Sequence, residues 1–250
     1  MQRIYERIGA TYRRTRREDP HIAQAIWSSL GSARTVLNVG AGAGAYEPLD
    51  RPVLAVEPSA TMARQRLDGA APVALACAEA LPISSRSFDA VLAVNTLHHW
   101  KDVRAGVREM RRVARQRVVI LHRNPAEGMP LWLTEKYFPT LLRTSGMEGI
   151  RKVVFEELPC VRTVPVALPA DCQDGLFSAF WARPEAYLDE GVRRNISNFA
   201  LADPLVVEQG LEALRRDLES GAWDREHGHL RRLPSLDLGH RILVAELSDF

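Results

Sequence analysis

The sequence predicts an α/β fold of the doubly wound kind: a seven-stranded sheet, mostly parallel, with an antiparallel pair at one edge and an inserted helical lid. Three observations predict it. Short apolar runs alternate with amphipathic stretches over the first half of the chain, the pattern of a parallel sheet crossed by helices. The first run, residues 36–39, enters a Gly40-x-Gly42-x-Gly44 turn, where glycine lets the chain reverse from strand to helix. Two later strand-like runs, 161–166 and 241–247, bracket a long helical region and read as the edge pair.

The elements follow in order. Ile4, Ile8 and Tyr12 recur at helical spacing with Tyr5 alongside, and Arg13, Arg14, Arg16 and Arg17 cluster behind them. Asp19-Pro20 supplies a cap and a first-turn proline for a second helix, whose apolar face is Ile22, Ile26 and Leu30 and whose stop is Gly31. Strands are expected at 36–39, 53–56, 73–76, 90–94 and 118–121. Between the last two, Asp102 caps a helix with Val103, Val107, Met110 and Val113 as its buried stripe. After residue 124 the rhythm changes, and 131–143 and 205–218 read as amphipathic helices. Asp203-Pro204 opens the second, Val207, Leu211, Leu214 and Leu218 stripe it, and Gly221 ends it.

Composition narrows the function. A formal net charge of +2 gives no basic field for nucleic acid. The three cysteines form no CxxC pair and suit a reducing compartment. The opening residues hold no apolar signal region and no run is long enough to span a membrane, so a cytoplasmic protein is expected.

The chemistry begins where the second strand, 53–56, ends in Glu57. Glycines on one strand end and a carboxylate on the next describe a nucleoside-binding edge, the acid accepting from a ribose diol. Further pieces follow in order: Pro58, Ser59 and Met62 after that strand; Ala78-Glu79-Ala80-Leu81-Pro82; Ser87-Phe88-Asp89; and Val94-Asn95-Thr96-Leu97-His98-His99-Trp100. Each piece is common alone; the order and spacing are not. Over residues 5–122 they resemble the class I S-adenosylmethionine-dependent methyltransferases, in particular the ubiquinone/menaquinone-type, methyltransferase type 11-like subgroup.

The resemblance implies a Rossmann-like sheet and a set of roles. Gly40, Ala41, Gly42 and Gly44 would hold the methionine and ribose parts of the cofactor. Glu57, Pro58 and Met62 would hold the ribose, and Ala78 and Glu79 would border adenine, with Asn38, Asn95 and Tyr12 completing the cofactor site. Asn38 departs from the family, which usually carries an acid there: an amide accepts hydrogen bonds but brings no charge. Tyr5 and Tyr12 are placed to cover the methionine end. His98 and His99 follow the fourth strand, and imidazole titrates near neutrality, so either can serve as the base for methyl transfer. His122 after the fifth strand, and Phe177 and Trp181 in the lid beside Asp171-Cys172-Gln173-Asp174-Gly175, are the acceptor-pocket candidates. No metal site is expected, because adjacent histidines rarely supply matched ligands alone.

The expected organisation is a single methyltransferase domain over 1–250. It comprises an N-terminal helical cap (1–31), a cofactor-binding core (32–124), a helical extension (125–160), and an edge strand pair (161–250) carrying a helical lid at about 170–238. The expected reaction is methyl transfer to a small-molecule acceptor. Other readings stay open. Leu81-Pro82, Phe88-Asp89 and His98-His99 are also arranged much as in some wobble-uridine tRNA methyltransferases, which would require salt-sensitive RNA binding. Gly40-x-Gly42-x-x-Ala45 with Glu57 also fits a nicotinamide-dependent oxidoreductase. A cofactor-binding protein without chemistry is the third.

Overall fold

The computed structural model describes residues 16–141, 147–194 and 196–247. The helix expected around Ile4, Ile8 and Tyr12, and with it Tyr5, lies outside them. Seven strands form one sheet: β1 (Val36–Val39), β2 (Val53–Val56), β3 (Val73–Ala74), β4 (Phe88–Val94), β5 (Ala114–Arg123), β6 (Val161–Pro169) and β7 (Ser235–Glu246), in the order β3-β2-β1-β4-β5-β7-β6. The first five pair in parallel, and β7 runs antiparallel between β5 and β6.

Both faces of the central strands are covered, which is why they read as continuous apolar runs rather than alternating ones. Successive residues nevertheless serve different cores. Val36, Leu92, Val119 and Leu121 pack with Ile22, Ile26 and Leu30 of α1 (Pro20–Leu30). Leu37, Val91, Val118 and Ile120 pack on the other face with Val107, Met110 and Val113 of α3 (Val103–Val113). Before α3 in the chain comes a single turn, α2 (Ala60–Ala63). Ile150 and Val154 of α4 (Met147–Glu157) join the α3 face. The caps act as expected: Asp19 accepts from the amides of His21 and Ile22, Asp102 from that of Ala105, and Gly31 turns with φ 55°.

Several expectations are corrected. Residues 131–143 do not form one amphipathic helix. A π-helical turn, Leu133–Tyr137, is followed by a short 3₁₀ turn, Pro139–Leu141, and Phe138 between them leaves the helical region (φ −137°, ψ 58°). Proline disfavours helical backbone at the residue before it, so Pro139 breaks the pattern that the apolar spacing suggested. Strand β3 is two residues rather than four, β5 starts directly after α3, and β7 begins at Ser235 rather than 241. Helix α4 falls where only a general helical extension was expected.

Between β6 and β7 the chain makes α5 (Glu190–Arg194), α6 (Ser197–Ala200), α7 (Pro204–Glu219) and α8 (Ala222–His227). Asp203 caps α7 as expected, accepting from Leu205 at 2.9 Å. An aromatic core roots this insertion on the sheet: Trp132 packs edge-on against Trp223, Tyr187 and Tyr137, and its indole N–H donates to the Trp181 carbonyl at 2.8 Å. No helix among the described residues is long and apolar enough to cross a membrane.

Candidate functional site

The carboxyl ends of β1, β2 and β4 open onto a cavity of about 1470 Å³, which the insertion closes from the opposite side. Ligand pockets are commonly about 300–1,000 Å³, so this one has room for two partners. On the sheet side it is lined by Asn38, Gly40, Ala41, Gly42, Gly44, Glu57, Pro58, Met62, Ala78, Glu79, Asn95, His98 and His99. Phe177 lines it from the insertion. Two sequence candidates lie elsewhere. Trp181 is wholly buried in the hydrophobic core. His122 is buried and absent from the lining, while its neighbour Arg123 lines the cavity, because consecutive strand residues point to opposite faces. Tyr5 and Tyr12 are outside the described residues.

The glycine turn has reasons of its own beyond room for a ligand. Gly40 (φ 69°), Gly42 (φ 53°) and Gly44 (φ 90°) all take left-handed backbone. A Cβ on Gly40 would fall 2.1 Å from the Thr96 hydroxyl, so that glycine lets β1 and the turn after β4 meet. A Cβ on Gly42 would find Met62 at an ordinary 3.5 Å. Conformation, more than collision, selects glycine at 42.

Glu57 is tied into the turn. One carboxylate oxygen accepts from the Gly42 amide at 2.8 Å and the other from the Ser59 amide at 2.9 Å. Each oxygen keeps a second lone pair for a ligand hydroxyl. Burial raises its pKa, and the two amide bonds pull against that rise. Asn38 donates to Glu47 at 3.0 Å, and Glu47 meets Arg66 at 2.6 Å in a buried pair. The Asn38 side-chain oxygen is buried and has no hydrogen-bond donor among the described residues, and Asn38 is one of the residues lining the cavity. A ligand N–H would satisfy it. Glu47 and Arg66 went unnoticed in the sequence, where nothing links them to position 38.

Other motif residues serve the scaffold. Asp89 accepts from the amides of Arg34 and Thr35, clamping β4 to the start of β1 at the end of the sheet away from the cavity. Glu79 accepts from the amides of Lys101 and Asp102, joining its loop to the approach to α3. His98 and His99 sit in a 3₁₀ turn after β4, their ring centroids 3.8 Å apart. Burial, followed by the neighbouring His98, pushes the His99 imidazole down to about 3.

On the insertion side, Ser178 and His240 form a buried hydrogen-bonded pair at 2.9 Å, and both line the cavity. Burial, with the Arg123 guanidinium adding to it, drives His240 down to about 3, so it is neutral. Only the fold joins these residues: His240 is the cross-strand partner of Arg123. The walls are linked where Tyr46 donates to Asp174 at 2.8 Å and Arg16 pairs with the same carboxylate.

The comparisons with known proteins agree with this geometry. A methyltransferase-domain family model matches residues 37–121. The chain is 32% identical to a putative methyltransferase from an antibiotic biosynthesis pathway of Anabaena variabilis, covering 93% of this chain and 99% of that one with a TM-score of 0.85. A possible histamine N-methyltransferase of Thermotoga maritima shares the fold at 21% identity, with coverage of 67% and 86% and a TM-score of 0.50. So does a Haemonchus contortus phosphoethanolamine N-methyltransferase, solved with phosphomonomethylethanolamine and S-adenosylhomocysteine, at 15% identity, coverage of 92% and 53%, and a TM-score of 0.51. None of the curated proteins matches the chain.

Proposed function

Because the chain belongs to the class I S-adenosylmethionine-dependent methyltransferases, we propose that it methylates a small molecule held between the carboxyl edge of the sheet and the helical insertion. The observation that carries this reading is the single cavity that runs from the glycine turn to the insertion, with volume for donor and acceptor together. The Anabaena relative, described as an antibiotic-pathway enzyme, points the same way. The elements shared with the wobble-uridine tRNA enzymes have scaffold roles in Asp89 and in the Leu81 amide, which donates to Glu109, so they lend RNA no support.

Bound S-adenosylmethionine supplies an electrophilic methyl group on a sulfonium centre. The chain's own residues hold and orient it. Glu57 accepts the ribose hydroxyls on its spare lone pairs, and the Asn38 oxygen accepts an N–H at the amino-acid end. Ala78 borders adenine, and Glu79, through its bonds to Lys101 and Asp102, holds that loop in place. The insertion acts as a lid that keeps water from the transfer. Burial keeps His99 neutral and a weak base, so His98 is the one we assign to take a proton from the acceptor. His98→Gln then lowers kcat by roughly 100-fold, the low end for general base catalysis, with donor affinity retained.

The test uses donor carrying a labelled methyl group. Label should enter the low-molecular-mass fraction of a cell extract and not tRNA; incorporation into tRNA overturns the proposal.

A further inference from the structure

The acceptor wall contains a charge that no counter-charge answers among the described residues. Arg123, the last residue of β5, lines the cavity. Its Nε donates to the Leu238 carbonyl at 2.9 Å, and this is its one hydrogen bond among the described residues. It has no ion pair there either. Arginines comparably withdrawn from water behave differently: Arg66 meets Glu47, Arg241 meets Asp237 and Glu127, and Arg16 meets Asp174. Burial lowers the Arg123 pKa to about 10, which still leaves it a cation at neutral pH. A half-buried guanidinium without a counter-charge is only partly solvated, and a ligand anion would complete it.

The surroundings narrow the ligand. His240, across the strand pair, is neutral, so the wall carries a single positive charge at this point, with the Ser178 hydroxyl bonded to His240 beside it. Leu141, Leu176, Phe177 and Ile196 supply apolar surface along the same cavity. One planar donor fork suits one carboxylate in a bidentate grip. We infer that Arg123 is the specificity residue for the acceptor's carboxylate, and that the acceptor is an apolar acid with Ser178 and His240 beside its polar end. This rests on the methyltransferase reading above.

The probes are 3-phenylpropanoate and its neutral amide, titrated by calorimetry into the full chain saturated with S-adenosylhomocysteine. The acid should bind at least ten-fold more tightly than the amide. Arg123→Met should abolish that preference and Arg123→Lys should keep part of it, with S-adenosylhomocysteine affinity unchanged in both. Equal binding of the two probes, or binding of neither, to protein that does take S-adenosylhomocysteine overturns the inference and leaves the methyltransferase reading intact. Preference for the acid that survives Arg123→Met also overturns it. Failure to bind S-adenosylhomocysteine sinks the methyltransferase reading itself.

Discussion

Along the ends of β1 and β2 the cavity wall is made of backbone turns and polar groups that answer one another: Glu57 with two amides, Glu47 with Asn38 and Arg66. Across from it, the wall made by the end of β5, β7 and the insertion is more apolar and carries a guanidinium without a counter-charge among the described residues. The first wall is largely held by its own bonds before the donor arrives, the Asn38 oxygen being the group left without a partner among the described residues. The second is electrostatically unfinished until an acceptor completes it. In the proposed reading, a preorganised donor side and a ligand-completed acceptor side divide the work of binding from that of selection.

Four measurements press on this contrast. The largest effect is expected from Arg66→Met, which strands the buried Glu47 carboxylate; breaking such a pair costs about 3–5 kcal/mol of unfolding free energy. A loss below about 1 kcal/mol would mean that the donor wall is not held by its own pairing. Next, Gly42→Arg forces a side chain onto left-handed backbone at the cavity and should weaken S-adenosylhomocysteine by on the order of 100-fold in calorimetry. Retained affinity would show that the turn is not the donor's seat.

The third measurement concerns acid. His122 and His240 are held neutral in the folded chain, their pKa values lowered to about 4 and about 3, whereas the unfolded chain takes up protons near 6.5. A depressed histidine favours folding fully above the unfolded pKa, and that contribution is lost as pH falls from there towards the folded value. Between pH 7 and pH 5 each should remove about 2 kcal/mol of stability. His240→Asn should shrink that loss in urea unfolding at the two pH values; an unchanged loss would show that His240 is not buried as a neutral group. The smallest effect is expected from Arg123→Met without ligand. Replacing a lone half-buried cation should leave stability within about 1 kcal/mol of the parent, in contrast to Arg66→Met. A loss as large as that of Arg66→Met would show that Arg123 is a structural residue.

The same contrast explains what could be read in the chain. The first five strands, the glycine turn, Glu57 and the capped α1, α3 and α7 are local features, written in consecutive residues whose spacing reports their structure. The acceptor wall is not local. Ser178 and His240 are 62 positions apart, and Arg123 meets His240 only because β7 turns back beside β5. His122 stood one residue from the useful position, and strand alternation turned it away. Trp181 had the composition of a pocket residue but went to the hydrophobic core, where it is fully buried. Pro139 hid its effect inside an apolar spacing that otherwise suited a helix.

One rung of the sheet has a further consequence. Pro169 and Ser235, at the two ends of the insertion, are cross-strand partners on β6 and β7. The chain leaves the sheet and returns to it at a single point, so the whole helical segment is topologically the loop of one hairpin. Loop closure free energy grows only with the logarithm of loop length, about 0.6 kcal/mol per doubling. Length by itself therefore costs little at that rung, and a spliced segment has to supply the packing that Tyr187 and Trp223 give to Trp132. For an engineer, Pro169 and Ser235 mark the cut sites at which the insertion's share of the cavity wall can be exchanged while Arg123 on β5 and His240 on β7 stay in place.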